Sequence, residues 1–320
     1  MANARRAFVT GAEGFIGSHL VRFLADKGWD VIGGVLLPQV RPTLRHPKIK
    51  MVGCDLRDAK RVKSVVTKYE PTHVFHLGAQ SLPTLSWLDP VGTFESNIMG
   101  SLHLFQALRQ MVRPPIIVSA CSSAEYGNVP ASKIPVTERQ PLQPLHPYGI
   151  SKVCLDLLAR EYFLDYRIPA INLRLFNTTG PGKTGDAPSD FVRQLARIKR
   201  GTQPPVLSVG NLSPRRAFLD VRDTVRGFYL AAMKGRYGES YNLCAASTAR
   251  IGTLLRTAIR LSGVSVEVNA AEHLMRPSDE KIIFGSTEKF YEHTGWQPRH
   301  SLEETLSSML DYWSQQAADL

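Results

Sequence analysis

Tyr148 and Lys152, in the run His146-Pro147-Tyr148-Gly149-Ile150-Ser151-Lys152, are the residues whose types and spacing point most directly to chemistry. Four apart on a helix, they share one face, a turn from each other. A free phenol titrates near ~10, so at neutral pH it needs help to carry a proton. A lysine cation held close favours the phenolate and is expected to pull that pKa down. Pro147 suits the first helical position, where no amide hydrogen is needed. Taken alone, Tyr-x-x-x-Lys also describes a half-buried tyrosine beside a solvated lysine. The rest of the chain must decide.

A second group could hold a dinucleotide. Thr10-Gly11-Ala12-Glu13-Gly14-Phe15-Ile16-Gly17 follows a β-type run and opens a helical one, the context that a dinucleotide fingerprint requires. Glycines permit a tight turn and close approach of backbone to pyrophosphate, and the helix start offers amides and a positive dipole end. The spacing is Gly-x-x-Gly-x-x-Gly rather than Gly-x-Gly-x-x-Gly. Asp55-Leu56 either reaches an adenine edge or caps the next helix. Leu77-Gly78-Ala79 forms a passage of small residues beside the cofactor, and Ser122-Ser123 bring hydroxyls to the sheet edge where ligands bind in such folds. The acid that reads a ribose belongs at the end of the second strand. Val35-Leu36-Leu37-Pro38 stands there with no Asp or Glu, and Arg41 and Arg45 follow. This favours NADP(H) over NAD(H), although dual use would leave the same trace.

The elements that must position these residues alternate. Strands are expected at 7–9, 31–35, 49–54, 73–77, 116–119 and 170–174, with helices at 15–27, 58–68, 92–110 and from 147 between them. Such alternation argues for an α/β fold: a Rossmann-like, doubly wound parallel sheet covered on both faces. After Asn177 the rhythm loosens into a mixed region, with a helix near 190–200 and an amphipathic one near 302–313. Residues 1–176 read as the dinucleotide-binding domain, with 217–246 returning to it, and 177–320 as a smaller, mainly substrate-binding region.

The 320 residues are 43% hydrophobic and 21% charged, enough for a sizeable core. The apolar stretches are too short to span a bilayer, and Gly11, Glu13 and Gly14 break the first one, unlike a signal peptide. A cytoplasmic protein is expected. Cys54, Cys121, Cys154 and Cys244 lack metal-ligand spacing, so no metal site is expected. A net charge of +11 admits nucleic acid, a membrane or a small anion as partner. The basic residues are scattered, which speaks for a nucleotide-type substrate and against nucleic acid or membrane.

Thr10-Gly11-x-x-Gly14-Phe15-Ile16-Gly17, Asp55-Leu56, His76-Leu77-Gly78-Ala79, Ser122-Ser123 and Tyr148-x-x-x-Lys152 occur in the order of the extended short-chain dehydrogenases/reductases. The chain resembles that family over nearly its whole length. Leu173 to Gly182 is similar to its segment between nicotinamide and sugar. Val209-Gly210-Asn211-Leu212, Arg215-Arg216-Ala217-Phe218, Arg276-Pro277-Ser278-Asp279 and Thr294-Gly295-Trp296-Gln297-Pro298 resemble the GDP-mannose branch, and most of all its GDP-6-deoxy-4-keto-mannose reductases. Many relatives carry Asp where this chain has Ala217.

The resemblance implies Ser122, Tyr148 and Lys152 as catalytic residues. It implies Gly11, Gly14, Phe15, Ile16, Gly17, Asp55, Leu56, Leu77, Gly78 and Ala79, with Tyr148 and Lys152, around the cofactor. It implies Ser122, Ser123, Tyr148, Asn177, Asn211, Arg216, Arg276 and Asp279 around a GDP-linked sugar, and a homodimer. Arginine suits a diphosphate because its planar fork donates paired, charge-assisted hydrogen bonds. The 4,6-dehydratases of this branch need a Glu in a Thr-x-Glu-x-Tyr-Gly run. In Ser122-Ser123-Ala124-Glu125-Tyr126-Gly127 a gapless alignment puts that acid at Ala124, and only a deletion puts it at Glu125. The gapless reading leaves plain ketone reduction. Dehydratase and 4-epimerase are the competing enzymes, and a non-catalytic NAD(P)-sensing protein is the competitor from another class.

Overall fold

The computed structural model describes residues 5–36, 44–271, 274 and 282–316. Six strands come first: β1 (Arg6–Thr10), β2 (Asp30–Val35), β3 (Ile49–Gly53), β4 (His73–His76), β5 (Ile116–Ser122) and β6 (Ala170–Leu175). Among them run α1 (Phe15–Asp26), α2 (Ala59–Tyr69), α3 (Pro83–Leu88), α4 (Pro90–Phe94), α5 (Gly100–Arg109) and α6 (Pro147–Tyr166). Then follow β7 (Thr178–Thr179), α7 (Ala187–Lys199), β8 (Val206–Val209), β9 (Arg215–Arg216), β10 (Leu219–Asp220), α8 (Val221–Lys234) and β11 (Ser240–Leu243). The last are β12 (Ala249–Arg250), α9 (Ile251–Ser262), β13 (Glu267–Ala270), β14 (Ile282–Ile283), α10 (Glu288–Thr294) and α11 (Leu302–Gln315).

The main sheet has the order β11-β6-β5-β4-β1-β2-β3, and all its neighbours pair in parallel. The order reverses at β1, so the loop after β1 opens at the switch point where doubly wound sheets bind ligands. Both faces are covered, which is why the strands read as continuous apolar runs. Val9, Leu20, Leu24, Phe75, Val225 and Phe228 pack on the side of α1 and α8. Phe8, Val62, Val74, Leu104, Phe105 and Leu155 pack on the side of α2, α5 and α6. A separate core joins α7, α9 and α11 through Phe191, Leu195, Leu254, Leu306, Met309 and Trp313. Among the described residues no helix is long and apolar enough to cross a membrane.

Two elements differ from the sequence expectation. The helix expected over 92–110 starts at Pro90, behind Asp89, whose side chain accepts the Gly92 amide, and it bulges into a π-turn at Glu95–Met99 before α5. The extra residue of a π-turn re-aims side chains, and such turns gather at functional sites. β5 runs on to Ser122, so that serine ends the strand rather than following it.

Candidate functional site

The loop after β1 is shaped by three glycines. Gly11 adopts φ 66°, and a Cβ there would stand 2.8 Å from the Gly78 Cα. A Cβ on Gly17 would stand 2.1 Å from the Gly11 carbonyl oxygen, and one on Gly14 3.1 Å from it. The Gly14 amide donates to Gly11 O at 3.0 Å, and the Ala12 amide ties the loop to Gly34 O of β2 at 3.1 Å. α1 begins at Phe15 with no side chain capping its amides. A bare backbone cradle at an uncapped, twelve-residue helix fits the pyrophosphate of a dinucleotide.

Thr10 links this cradle to β4. Its hydroxyl accepts the Leu77 and Gly78 amides at 3.1 and 2.9 Å and lies 2.9 Å from His76 Nδ1. With two amides on its oxygen, its proton goes to Nδ1. That leaves the ring's one N–H on Nε2, which donates to Ser101 Oγ at 2.8 Å. Burial, reinforced by the Lys152 charge, lowers the His76 pKa to about 3, so the ring is neutral. Ser101 donates to the Asn97 carbonyl. The Asn97 amide donates to Ser151 Oγ at 2.9 Å, and Ser151 donates to Tyr148 O at 2.7 Å. A continuous chain of hydrogen bonds therefore joins the glycine loop to the first turn of α6. His76, Asn97, Ser101 and Ser151 were not among the expected site residues. Their signal was a polar side chain inside otherwise apolar strand and helix patterns.

Ser122, Tyr148 and Lys152 come together as expected. The Ser122 side chain lies beside the Tyr148 phenol, near enough to lower its pKa. Tyr148 follows Pro147 in the first turn of α6, where the His146 side chain accepts the Gly149 amide at 3.0 Å. The His146 ring stacks on the tyrosine. Lys152 is buried, with Nζ donating to Ala120 O at 2.8 Å and lying 5.8 Å from the tyrosine ring centroid. The expectation for the phenol pKa is reversed. Loss of hydration pushes Tyr148 up to about 12, against the pull of the Ser122 side chain, and nearby Glu125 and Cys121 add to the rise. Burial likewise lowers the Lys152 pKa, because desolvation disfavours the charged form.

Glu125 turns away from this group. It closes a capping box with Ser122, its Oε1 accepting the Ser122 amide at 2.7 Å. Its Oε2 lies 3.2 Å from Arg174 Nε, which also meets Asp156 Oδ2 at 2.9 Å. Burial and the neighbouring Asp156 push Glu125 up to about 8, with Arg174 opposing them. Cys121, Glu125 and Asp156 present ligand atoms within 4.8 Å of one another, but the Arg174 guanidinium already pairs both carboxylates.

The other expected residues divide. Phe15, Ile16, Leu77, Gly78 and Ala79 are half-buried around the glycine loop. Leu56 is buried, its Cδ1 2.9 Å from where a Gly78 Cβ would stand. Asp55 neither caps α2, which Asp58 does, nor presents an unpaired carboxylate: it folds back on the Arg57 amide and guanidinium at 2.9 and 2.7 Å. Ser123 is half-buried beside Ser122. Asn177 ends the loop after β6, and its buried Nδ2 has no hydrogen-bond partner in the protein. Asn211 accepts from the Ser213 amide and hydroxyl at 3.0 and 2.8 Å. Arg216 lines a cavity of about 330 Å³ with Phe218, Ser247, Arg299 and His300. Ala217 is buried among Tyr126, Val136, Phe176 and Cys244, an apolar setting that would penalise the carboxylate of many relatives. Arg276 and Asp279, like Leu37, Pro38 and Arg41, lie outside the described residues. Trp296 is fully buried, its indole donating to Asp223 O at 3.1 Å, so that part of the C-terminal signature builds the fold.

Residues 8–309 match the family model described as GDP-mannose 4,6 dehydratase. The chain is 28% identical to GDP-6-deoxy-D-mannose reductase of Pseudomonas aeruginosa over 97% of each protein. It is 24% identical to GDP-mannose 4,6-dehydratase of Sinorhizobium fredii, also over 97% of each. Among solved structures, RMD from Pseudomonas aeruginosa complexed with NADPH superposes with TM-score 0.86 at 26% identity, covering 98% of this chain and all of that one. UDP-glucose 4-epimerase of Thermus thermophilus in complex with NAD gives TM-score 0.86 at 27% identity with the same coverage.

Proposed function

The chain belongs to the GDP-mannose 4,6-dehydratase family of extended short-chain dehydrogenases/reductases, and we propose that within it the protein is a 4-ketoreductase, converting GDP-4-keto-6-deoxy-D-mannose to GDP-D-rhamnose. Such enzymes act on nucleotide sugars with a nicotinamide cofactor. The observation that carries the finer reading is the inward turn of Glu125. Its carboxyl is buried, with Oε1 accepting the Ser122 amide and Oε2 facing Arg174 on the side away from the Tyr148 phenol, and Ala124 has no proton to give. No acid of the Ser122–Gly127 run is left to assist loss of the C6 hydroxyl, so elimination gives way to reduction.

The glycine cradle, with Gly11, Gly14, Phe15, Ile16, Gly17, Leu77, Gly78 and Ala79, and with Asp55 and Leu56 toward the adenine, suits the dinucleotide. A reduced nicotinamide held there supplies the hydride for the C4 carbonyl. The Ser122 hydroxyl hydrogen-bonds the carbonyl oxygen and steadies the charge that develops on it. Tyr148, protonated at neutral pH, gives that oxygen its proton. Lys152, with Nζ held on Ala120 O, stands beside the phenolate that results. Ser123, Asn177, Asn211, Arg216, Arg276 and Asp279 hold the nucleotide sugar, with the unpartnered Asn177 amide as one donor. Residues 1–176 with 217–246 form the cofactor side, and most of 177–320 the substrate side.

For the nicotinamide form, the lack of an acid at 35–38 and the NADPH of the Pseudomonas structure speak for NADP(H). A carboxylate that the fold brings to the same place speaks against it. The four cysteines are free, which suits the cytoplasm. Exposed apolar side chains along α3 to α6, among them Trp87, Leu88, Val91, Ile150 and Leu157, suit a homodimer.

Mixing the protein with the keto sugar and reduced nicotinamide tests the reading. A reductase oxidises one cofactor per sugar, followed by absorbance, and prefers the GDP-linked ketone over UDP- and dTDP-linked ones. No oxidation of cofactor with the keto sugar, together with redox-neutral conversion of GDP-mannose or of a UDP-hexose, would assign the protein to the dehydratases or epimerases instead.

A further inference from the structure

The end of β2 is the place where doubly wound folds read the adenosine ribose. The sequence there, Val35-Leu36, contains no acid. The structure supplies one from elsewhere. Glu13, at the tip of the glycine loop, reaches across so that its Oε1 accepts the Leu36 amide at 3.2 Å. The reach is built in. The Ala12 amide donates to Gly34 O at 3.1 Å, so consecutive loop residues are tied to the last turn of the same strand. β1 and β2 pair in register up to Thr10 and Gly34, which brings the two strand ends side by side. Glu13 is half-buried rather than swinging in solvent. An ionised carboxylate offers about four acceptor sites, and the Leu36 amide takes one.

We propose that Glu13 is a specificity residue for the cofactor: its carboxylate accepts a hydrogen bond from the ribose 2′-hydroxyl of NAD(H) and repels the 2′-phosphate of NADP(H). A 2′-phosphate carries between one and two negative charges near neutral pH, and two like charges at one strand end disfavour binding. The ribose hydroxyl, by contrast, gives the carboxylate a donor. The acid does the work normally assigned to the second strand, from a position that a search of that strand passes over. This deepens the proposed function and rests only on its nicotinamide requirement, not on the choice of sugar or reaction.

The test is equilibrium binding without any sugar: titration of the full-length protein with NADH and NADPH, followed by energy transfer from tryptophan to the nicotinamide. NADH is expected to bind at least about tenfold more tightly than NADPH. Glu13→Gln keeps an acceptor for the Leu36 amide and removes the charge. It should tighten NADPH about tenfold and weaken NADH, so that the preference for NADH is lost. Glu13→Ser, which shortens the side chain, should shift the ratio in the same direction, with thermal unfolding confirming that both variants are folded. Tighter binding of NADPH by the unaltered protein would overturn the proposal. So would folded variants whose NADH to NADPH ratio is unmoved; in that case the reductase reading stands. Failure of the protein to bind either dinucleotide would overturn both.

Discussion

A phenol whose pKa burial has raised to about 12 keeps its proton across the neutral range and yields it to a base as strong as an alkoxide. In the proposed reduction Tyr148 therefore serves as the acid. Tyr148→Phe should lower turnover by about a thousandfold, within the range of general acid catalysis, and leave cofactor affinity within about threefold. Steady-state kinetics and a binding titration measure the two. The reduction rate should show no decline from Tyr148 between about pH 6 and 9. The pair was legible from spacing, but its electrostatics were not, because the cation's pull competes with a desolvation that only packing creates. His76 illustrates the same point through stability. Its pKa is about 3 in the fold against 6.5 for the free group, so the unfolded chain binds the extra proton between those values. Stability is complete above pH 6.5 and is lost as pH falls toward 3, at up to about 1.4 kcal/mol per pH unit for this one group. His73, lowered by burial to about 4, adds to the slope. Urea unfolding at several pH values should be visibly less acid-sensitive in His76→Gln.

At the scale of elements, the β1 loop and the start of α6 place the chemistry. Gly17 stands where the helix passes the Gly11 carbonyl, and a methyl group there would overlap backbone that has no flexible end to move. Gly17→Ala should weaken dinucleotide binding by about 100-fold or more while the sheet keeps its circular dichroism, a split that calorimetric titration and spectroscopy can verify. The glycine spacing and the strand before it were legible because both are local. The π-turn at Glu95–Met99 was not: the sequence 92–110 reads as one helix, and the bulge is recognisable only by what it does, placing Asn97 against Gln80 and Ser151. Ser122 and Glu125 are similar. Their proximity is written in the chain, yet which way the carboxylate points depends on Arg174 arriving from β6.

Across the whole molecule, α6 serves two surfaces. Lys152, Leu155 and Ala159 face the sheet, while Ile150, Leu157 and Leu164 recur every seven residues along an exposed face. Exposed Leu88 and Val91, from the neighbouring short helices, add to the apolar surface. The proposed homodimer would use this patch, since a two-fold pairing would bury it on both copies at once. Sedimentation should show a dimer, and Leu157→Glu together with Ile150→Glu should yield a folded monomer. The alternation of strands and helices announced the doubly wound sheet, because its period reflects local geometry and two-sided burial. That β11 joins this sheet beside β6, some seventy residues later in the chain, follows from the chain's return and not from local pattern.

By itself the sequence determined the Rossmann-like class and pointed to the glycine loop and the Ser122, Tyr148 and Lys152 cluster as candidates, since each depends on residue type and short-range spacing. Only the tertiary structure decided how those groups are charged and which acids face them. Burial raised the phenol, Arg174 drew Glu125 inward, and the register of β1 on β2 carried Glu13 to the end of the second strand. Hydration and through-space charge depend on neighbours distant in the chain, and no spacing along it records them.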